Sequence, residues 1–152
     1  MTRRQSITAI LFTAAAARQN ARAEAADDAY DVIAEIARSL AENDFSGFTQ
    51  RLDRDVAAVD QFANDVRRLL AEYQFTSSIK PISNTGDDTG RRLELDWYVE
   101  LKARSYDLRL VRRQALVTCG VTKVPAIGKK KARWLLTSIE SAGVFAPVEA
   151  NP

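Results

Sequence analysis

The chain contains no histidine and a single cysteine, Cys119. Without histidine there is no Ser-His-Asp triad, no Cys-His dyad and no imidazole to ligate a metal. One thiol cannot close an internal disulfide, so the fold must be held by its core. Cys119 lies in an alternating apolar stretch, which favours a buried inert thiol over an intermolecular disulfide. Zinc chemistry is close to excluded on the same count. Long hydrophobic runs are missing too. The apolar stretch over residues 7–17 has 11 residues, against about 20 for a spanning helix. There is no internal repeat, and no low-complexity segment beyond the N-terminal region.

What is present begins at the N-terminus. Arg3 and Arg4 precede the apolar stretch and Ala21-Arg22-Ala23 follows it, the basic, apolar and small-x-small order of an export signal. This predicts a signal peptide over residues 1–23 and a working domain over residues 24–152 in the periplasm or the extracellular space. An uncleaved N-terminal anchor is the alternative. The leader has no cysteine to carry a lipid. Arg3-Arg4 hints at twin-arginine export, although Ser6 stands where a hydrophobic residue is usual. Cleavage changes the charge. Loss of Arg3, Arg4, Arg18 and Arg22 takes the 22 basic residues to 18 against 20 acidic ones, a net charge of −2. The basic balance therefore belongs to the precursor and is no nucleic-acid footprint. About 129 residues remain, one domain on size.

The hydrophobic period divides that domain in two. Ala29, Val32, Ile33, Ile36, Ala37 and Leu40 recur at helical steps, with Asp27 and Asp28 at the positive end of the dipole. Asn43-Asp44 ends this helix and caps a short second one with Phe45, Phe48 and Leu52 inward. Asp55 caps a third, whose face is Val56, Val59, Phe62, Val66, Leu69 and Tyr73, with Leu70 alongside. Near Gln74 the period falls to two. Phe75, Ser77 and Ile79 alternate with polar residues up to Pro81, which limits the strand, and residues 83–90 read as a turn-rich loop. Leu93, Leu95, Trp97, Val99 and Leu101 alternate with Glu94, Asp96, Tyr98, Glu100 and Lys102, the clearest half-buried strand. A turn at 105–107 leads to a strand over 108–123, with Val111, Arg113, Ala115, Val117, Cys119 and Val121 inward. A turn at 125–130 leads to the last strand, 132–141. Its inward face is open between Trp134 with Leu136 and Leu135 with Thr137 and Ile139. Short connections make the strands antiparallel, and the amphipathic helices must cover their apolar face. The expected fold is α+β, three helices packed on a curved four-stranded antiparallel sheet.

In that order the chain resembles the nuclear transport factor 2-like superfamily, the cystatin-like cone or SnoaL-like fold that includes ketosteroid isomerase-like enzymes. The resemblance covers roughly residues 25–148. It is carried by Glu42-Asn43-Asp44-Phe45-Ser46-Gly47-Phe48 with Leu52-Asp53, by Leu95-Asp96-Trp97-Tyr98-Val99, and by Arg133-Trp134-Leu135-Leu136-Thr137-Ser138-Ile139 running to Phe145-Ala146-Pro147. It implies a cone with a pocket between the first helix and the sheet, often in dimers. It implies no single activity: the family holds isomerase-like and dehydratase-like enzymes, polyketide cyclases and domains without a reaction.

Catalytic members of such a family place a carboxyl, and sometimes a Tyr or His, inside the cone, where burial raises its pKa. Here the best-defined strand turns apolar side chains inward and Glu94, Asp96 and Glu100 outward, as a solvated or dimer-facing surface. A β-bulge that turned Asp96 inward would reverse this. Arg113 falls on the apolar face and needs a carboxylate or an anionic ligand, unless its head reaches water or pairs with Asp96 or Glu100. Ser77 and Thr137 are further inward polar candidates. Tyr30 offers a hydroxyl or a half-buried core ring. Trp97, Phe48, Phe62 and Phe145 line a pocket or simply fill it. The Gly128-Lys129-Lys130-Lys131 run sits at a turn and makes a poor nucleic-acid site. Asp87-Asp88 lacks the ligand set of a calcium loop.

The leading expectation is an exported, non-catalytic binding or interaction module, homodimeric through the outer sheet face and free of cofactor and metal. Its cone would hold a small apolar or anionic molecule, bound by Arg113, Trp97, Tyr30, Ser77 and Asp96. The alternatives are a cofactor-free isomerase, dehydratase or cyclase using Asp96 or Tyr30, and a partner domain with a filled cone.

Overall fold

The computed structural model describes the backbone of residues 2–105 and 109–149, and the side chains of these residues from 17 onward. Three helices come first: α1 (Thr2–Ala41), α2 (Phe45–Thr49) and α3 (Ala57–Glu72). Four strands follow: β1 (Tyr73–Gly86), β2 (Gly90–Ala103), β3 (Leu110–Val124) and β4 (Arg133–Glu140), with a final 3-10 turn, Ala142–Phe145. The strands form one antiparallel sheet in sequence order, β1-β2-β3-β4. The fold is therefore the expected α+β arrangement, helices on one face of an open sheet. The side chains of residues 7–16 in the N-terminal apolar stretch, and most of the turn expected at 105–107, lie outside the described residues.

The helices depart from expectation at their ends. α1 begins at Thr2 rather than beside Asp27. Nothing between residues 2 and 41 stops it, since this stretch has no Gly or Pro and is rich in alanine, the best helix former. Its buried stripe runs from Ala25 through Ala29, Val32, Ile33 and Ile36 to Leu40. Just past its end, Asn43 takes φ 56 in the left-handed region that Asn tolerates. Asp44 then caps α2 by accepting from the Gly47 N–H at 2.9 Å. A Cβ on Gly47 would stand 2.3 Å from the Asp44 carboxylate, so this cap and a side chain at 47 exclude each other. Asp55 does not cap α3. Val56 occupies the cap position with no side-chain bond, and the acid that serves the first turn is Asp60, paired with Arg54 at 2.9 Å.

Two bulges shape the sheet. β1 does not stop at Pro81. It is an edge strand, where a missing N–H costs no ladder bond, and it continues to Gly86 with its register shifted between Pro81 and Ser83. The loop expected over 83–90 shrinks to a turn at 87–89. The second bulge settles the face of β4. Gly120 pairs with Ser138 and Val121 with Leu136, leaving Thr137 unpaired. One extra residue reverses the alternation, so Trp134 and Leu136 face the core before it and Ile139 after it. Thr137 is not inward: its hydroxyl bonds Thr122 at 2.8 Å and the Gly120 carbonyl at 3.3 Å. The free edge of β4 is closed by residues 51–53, with Leu136 N–H on Arg51 O at 2.8 Å and Asp53 N–H on Leu136 O at 2.9 Å.

The core lies between these layers. Leu93, Leu95, Trp97, Val99 and Leu101 of β2 and Val117, Cys119 and Val121 of β3 are buried against the α1 stripe and against Val59, Phe62, Val66 and Leu69 of α3. Cys119 is fully buried, and loss of hydration pushes its thiol up to about 12. Its extra native proton-holding is worth nothing below about pH 9, where the thiol is protonated in both folded and unfolded chains. Above that the unfolded chain ionises first, so stability falls as pH rises toward the folded value. Native protein is expected to leave Cys119 unlabelled by a thiol reagent at pH 8 and to label fully in denaturant. Stoichiometric labelling of the native chain would contradict the burial.

Candidate functional site

Three of the residues nominated from the sequence, Trp97, Ser77 and Arg113, lie on the inner face of the sheet, where β2 and β3 face α3 and the closing turn. Trp97 projects inward from the middle of β2 and is 1 % exposed. Its cross-strand partners are Ile79 on β1 and Ala115 on β3. The small Ala115 leaves room for the indole. The ring N–H donates to the Ser77 hydroxyl at 2.8 Å, so Ser77 is inward as expected and serves the tryptophan. The other tryptophan, Trp134, has no such acceptor among the described residues.

Four aromatic contacts join the elements end to end. Phe45 and Phe48 of α2 lie 5.8 Å apart by ring centroid, Phe48 and Phe62 5.4 Å, Phe62 and Phe145 4.9 Å, and Phe145 and Trp97 5.1 Å. The last three are edge-to-face, the arrangement the ring quadrupoles favour, worth about 0.5–1.5 kcal/mol each beyond burial. Trp97, Phe48 and Phe145 are among the largest fully buried side chains. These rings pack on one another in the interior, and Phe145 of the closing turn lies between Phe62 of α3 and Trp97 of β2 as the last of them.

Arg113 explains how that turn is held. It is inward on β3, opposite Val99, and half-buried. Its guanidinium donates to the carbonyls of Val144 at 3.2 Å, of Ala146, and of Pro147 at 3.3 Å. No carboxylate pairs with it among the described residues. The planar fork of donors is suited to such a row of carbonyls, as a point-like ammonium is not. Asp96 and Glu100, its expected cross-strand partners, lie on the other face. Asp96 accepts from Gln114 at 3.0 Å. Glu100 accepts from the Tyr98 hydroxyl at 2.9 Å and pairs with Arg112 at 3.5 Å, and the Tyr98 bond raises that phenol above its ordinary value. Tyr30 packs half-buried against the core.

The structure thus brings Trp97, Ser77 and Arg113 together and leaves Tyr30 at the core margin and Asp96 outside. Among the described residues no carboxylate is buried. An acid or base inside the fold, the requirement for proton transfer in a water-poor site, has no carboxylate to supply it. Sequence reasoning named Phe145 as lining or filling a pocket, but missed Val144 and the hold of Arg113 on the closing turn. The only signal of that turn was an apolar pair following the last strand.

No known protein family matches this chain, and no curated protein matches it. Among solved structures it is similar to a SEC-C motif containing protein from Psychrobacter arcticus, with 12% identity, a TM-score of 0.49 and coverage of 74% of this chain and 60% of that one. The chain so spans less than two thirds of that protein's length. It is also similar to a candidate polyketide cyclase from Xanthomonas campestris pv. campestris, with 12% identity, a TM-score of 0.40 and coverage of 75% and 92%. At these values neither likeness assigns an activity or a ligand to this chain.

Proposed function

We propose that this chain is a non-catalytic interaction domain of the cone-like type, exported from the cytoplasm, whose interior is structural and holds no small molecule. The observation that carries this reading is the filled interior. Phe145 occupies the space a ligand would take, and Arg113, an inward cation of β3, is engaged by three backbone carbonyls. With the inner face committed, the outer sheet face and the hairpin tips are left to meet partners. Self-association through the outer face belongs to this reading, since Leu110 and Leu116 of β3 are exposed there.

Native mass spectrometry of the protein purified from an exporting cell tests the proposal. The expected spectrum shows the chain without a small-molecule adduct, shortened by the 23-residue leader, and in part dimeric. Thermal shifts against steroids, lipids and organic acids should be flat. A stoichiometric co-purified molecule, or a saturable shift, would overturn the filled-interior reading.

A further inference from the structure

The hairpin between β3 and β4 carries a concentrated charge of one sign. The stretch Lys123 to Arg133 contains Lys123, Lys129, Lys130, Lys131 and Arg133 and no acid. All five cations are exposed, and among the described residues none of them is in an ion pair. Between them lies Val124-Pro125-Ala126-Ile127. Ile127 is 70 % exposed, more than any other large apolar side chain described. The tip that presents it is built. Ile127 and Lys130 exchange both backbone hydrogen bonds, at 3.2 and 3.0 Å, around Gly128 at φ 60. Val124, Pro125, Ile127, the three lysines and Arg133 border a recess of about 440 Å³.

Lysines at a turn are ordinarily just solvated. An isoleucine held into water by a paired backbone at the same tip is not explained by solvation, because aliphatic surface gains from leaving water. We propose that this hairpin docks the protein on an anionic lipid surface. Ile127 enters the boundary between headgroups and acyl chains, while the lysine ammonium groups meet the lipid phosphates. A nucleic acid offers the same charge but nothing for the isoleucine, and residues 123–133 hold no aromatic ring on which a base could stack.

The placement of the hairpin agrees. Lys123 N–H bonds Thr89 O at 2.8 Å, which sets the base of the hairpin beside the β1–β2 turn. Ala17, Arg18, Ala21 and Arg22 of α1 share a recess with Asp87 and Asp88 of that turn. In the uncleaved chain the hairpin and the N-terminal reach of α1, with Arg18 and Arg22 exposed, therefore lie at the same end of the molecule; once residues 1–23 are removed, the hairpin alone carries the docking. Asp87 and Asp88 are the carboxylates of that turn. Asp87 is engaged by its own loop, accepting from Thr89 N–H, Thr89 hydroxyl and Gly90 N–H at 2.9 Å each, which lowers its pKa and keeps it ionised. The inference stands whether or not the interior is filled.

The test uses the full chain with phosphatidylcholine vesicles and with vesicles that contain about 30% phosphatidylglycerol. Co-sedimentation is expected with the anionic vesicles alone and is weakened at about 0.5 M salt. The triple variant Lys129→Glu, Lys130→Glu, Lys131→Glu, and separately Ile127→Asp, should each weaken it about tenfold or more. Both sites lie outside the core, and circular dichroism checks that each variant is folded. Ile127→Trp supplies a reporter at the tip, since Trp97 and Trp134 are buried: brominated lipid should quench it in the anionic vesicles. Sedimentation without quenching at 127 would assign binding to the N-terminal segment and overturn the proposal. Equal binding to neutral vesicles, no loss in Ile127→Asp, or a DNA duplex that displaces the hairpin from the vesicles would overturn it as well.

Discussion

Replacing Phe145 with alanine is expected to lower the unfolding free energy by about 3–5 kcal/mol, the usual cost of deleting a fully buried phenylalanine. Residues this near a chain end are commonly frayed and tolerant of change. Phe145 is the opposite case. It is fully buried, it makes edge-to-face contacts with both Phe62 and Trp97, and its removal opens a space between α3 and β2. Since domains are commonly stable by only about 5–15 kcal/mol, Phe145→Leu is the companion variant. It keeps most of the volume, loses the ring contacts and should cost about 1–2 kcal/mol. Chemical denaturation of the two variants gives both numbers. A loss below about 1 kcal/mol for Phe145→Ala would mean that the turn does not plug the core.

The second large effect belongs to Arg113. Arg113→Met keeps the aliphatic stem and removes three hydrogen bonds from a charged donor to the chain after β4. Such bonds are worth about 1.5–3 kcal/mol where fully buried. Because the side chain is half-buried, water recovers part of this, and a net loss of about 2 kcal/mol is expected. Arg113→Lys should rescue little, because an ammonium cannot reach a row of carbonyls in the manner of a guanidinium. Amide exchange should accelerate over residues 144–148 and stay slow in β2. The double variant with Phe145→Ala should lose less than the two single losses combined, by about 0.5–1 kcal/mol or more, since both act through one segment. Strict additivity would separate the arginine from the plug.

Much of this fold was legible because its signals are periodic. Leu93 to Leu101 alternate without interruption, and all five are buried in the strand where the pattern put them. The outward carboxylates Glu94, Asp96 and Glu100 follow from the same period, and no bulge in β2 disturbs it. The breaks lie where geometry depends on a neighbour. Pro81 reads as a strand stop, yet an edge position with a bulge accommodates it. Thr137 hides a change of face that no alternation rule contains, because one unpaired residue leaves both halves of β4 correctly patterned and mutually out of phase. α1 runs further than its apolar stripe because alanine needs no core to favour the helix.

Arg113 shows the limit most plainly for the site. The pattern identified it correctly as an inward cation and reserved an anionic ligand, a carboxylate or water for it. Its partners are carbonyls of residues 144–147, some thirty positions later. Main-chain oxygens carry no residue-type signal, so a clamp built from them is invisible in the sequence. The phenylalanine it secures was readable as pocket wall or, more readily, as core filling, and the returning chain is what places it.

The indole N–H resonance of Trp97 gives the most direct measurement. It sits at the junction of the Phe145 ring and the Ser77 hydroxyl, so any molecule entering the interior must disturb it. Titration of the labelled chain with benzene or xenon should leave this resonance unmoved in the wild type and shift it saturably in Phe145→Ala. A saturable shift in the wild type would show an open chamber behind Phe145, and the description of the interior as structural filling would then be wrong.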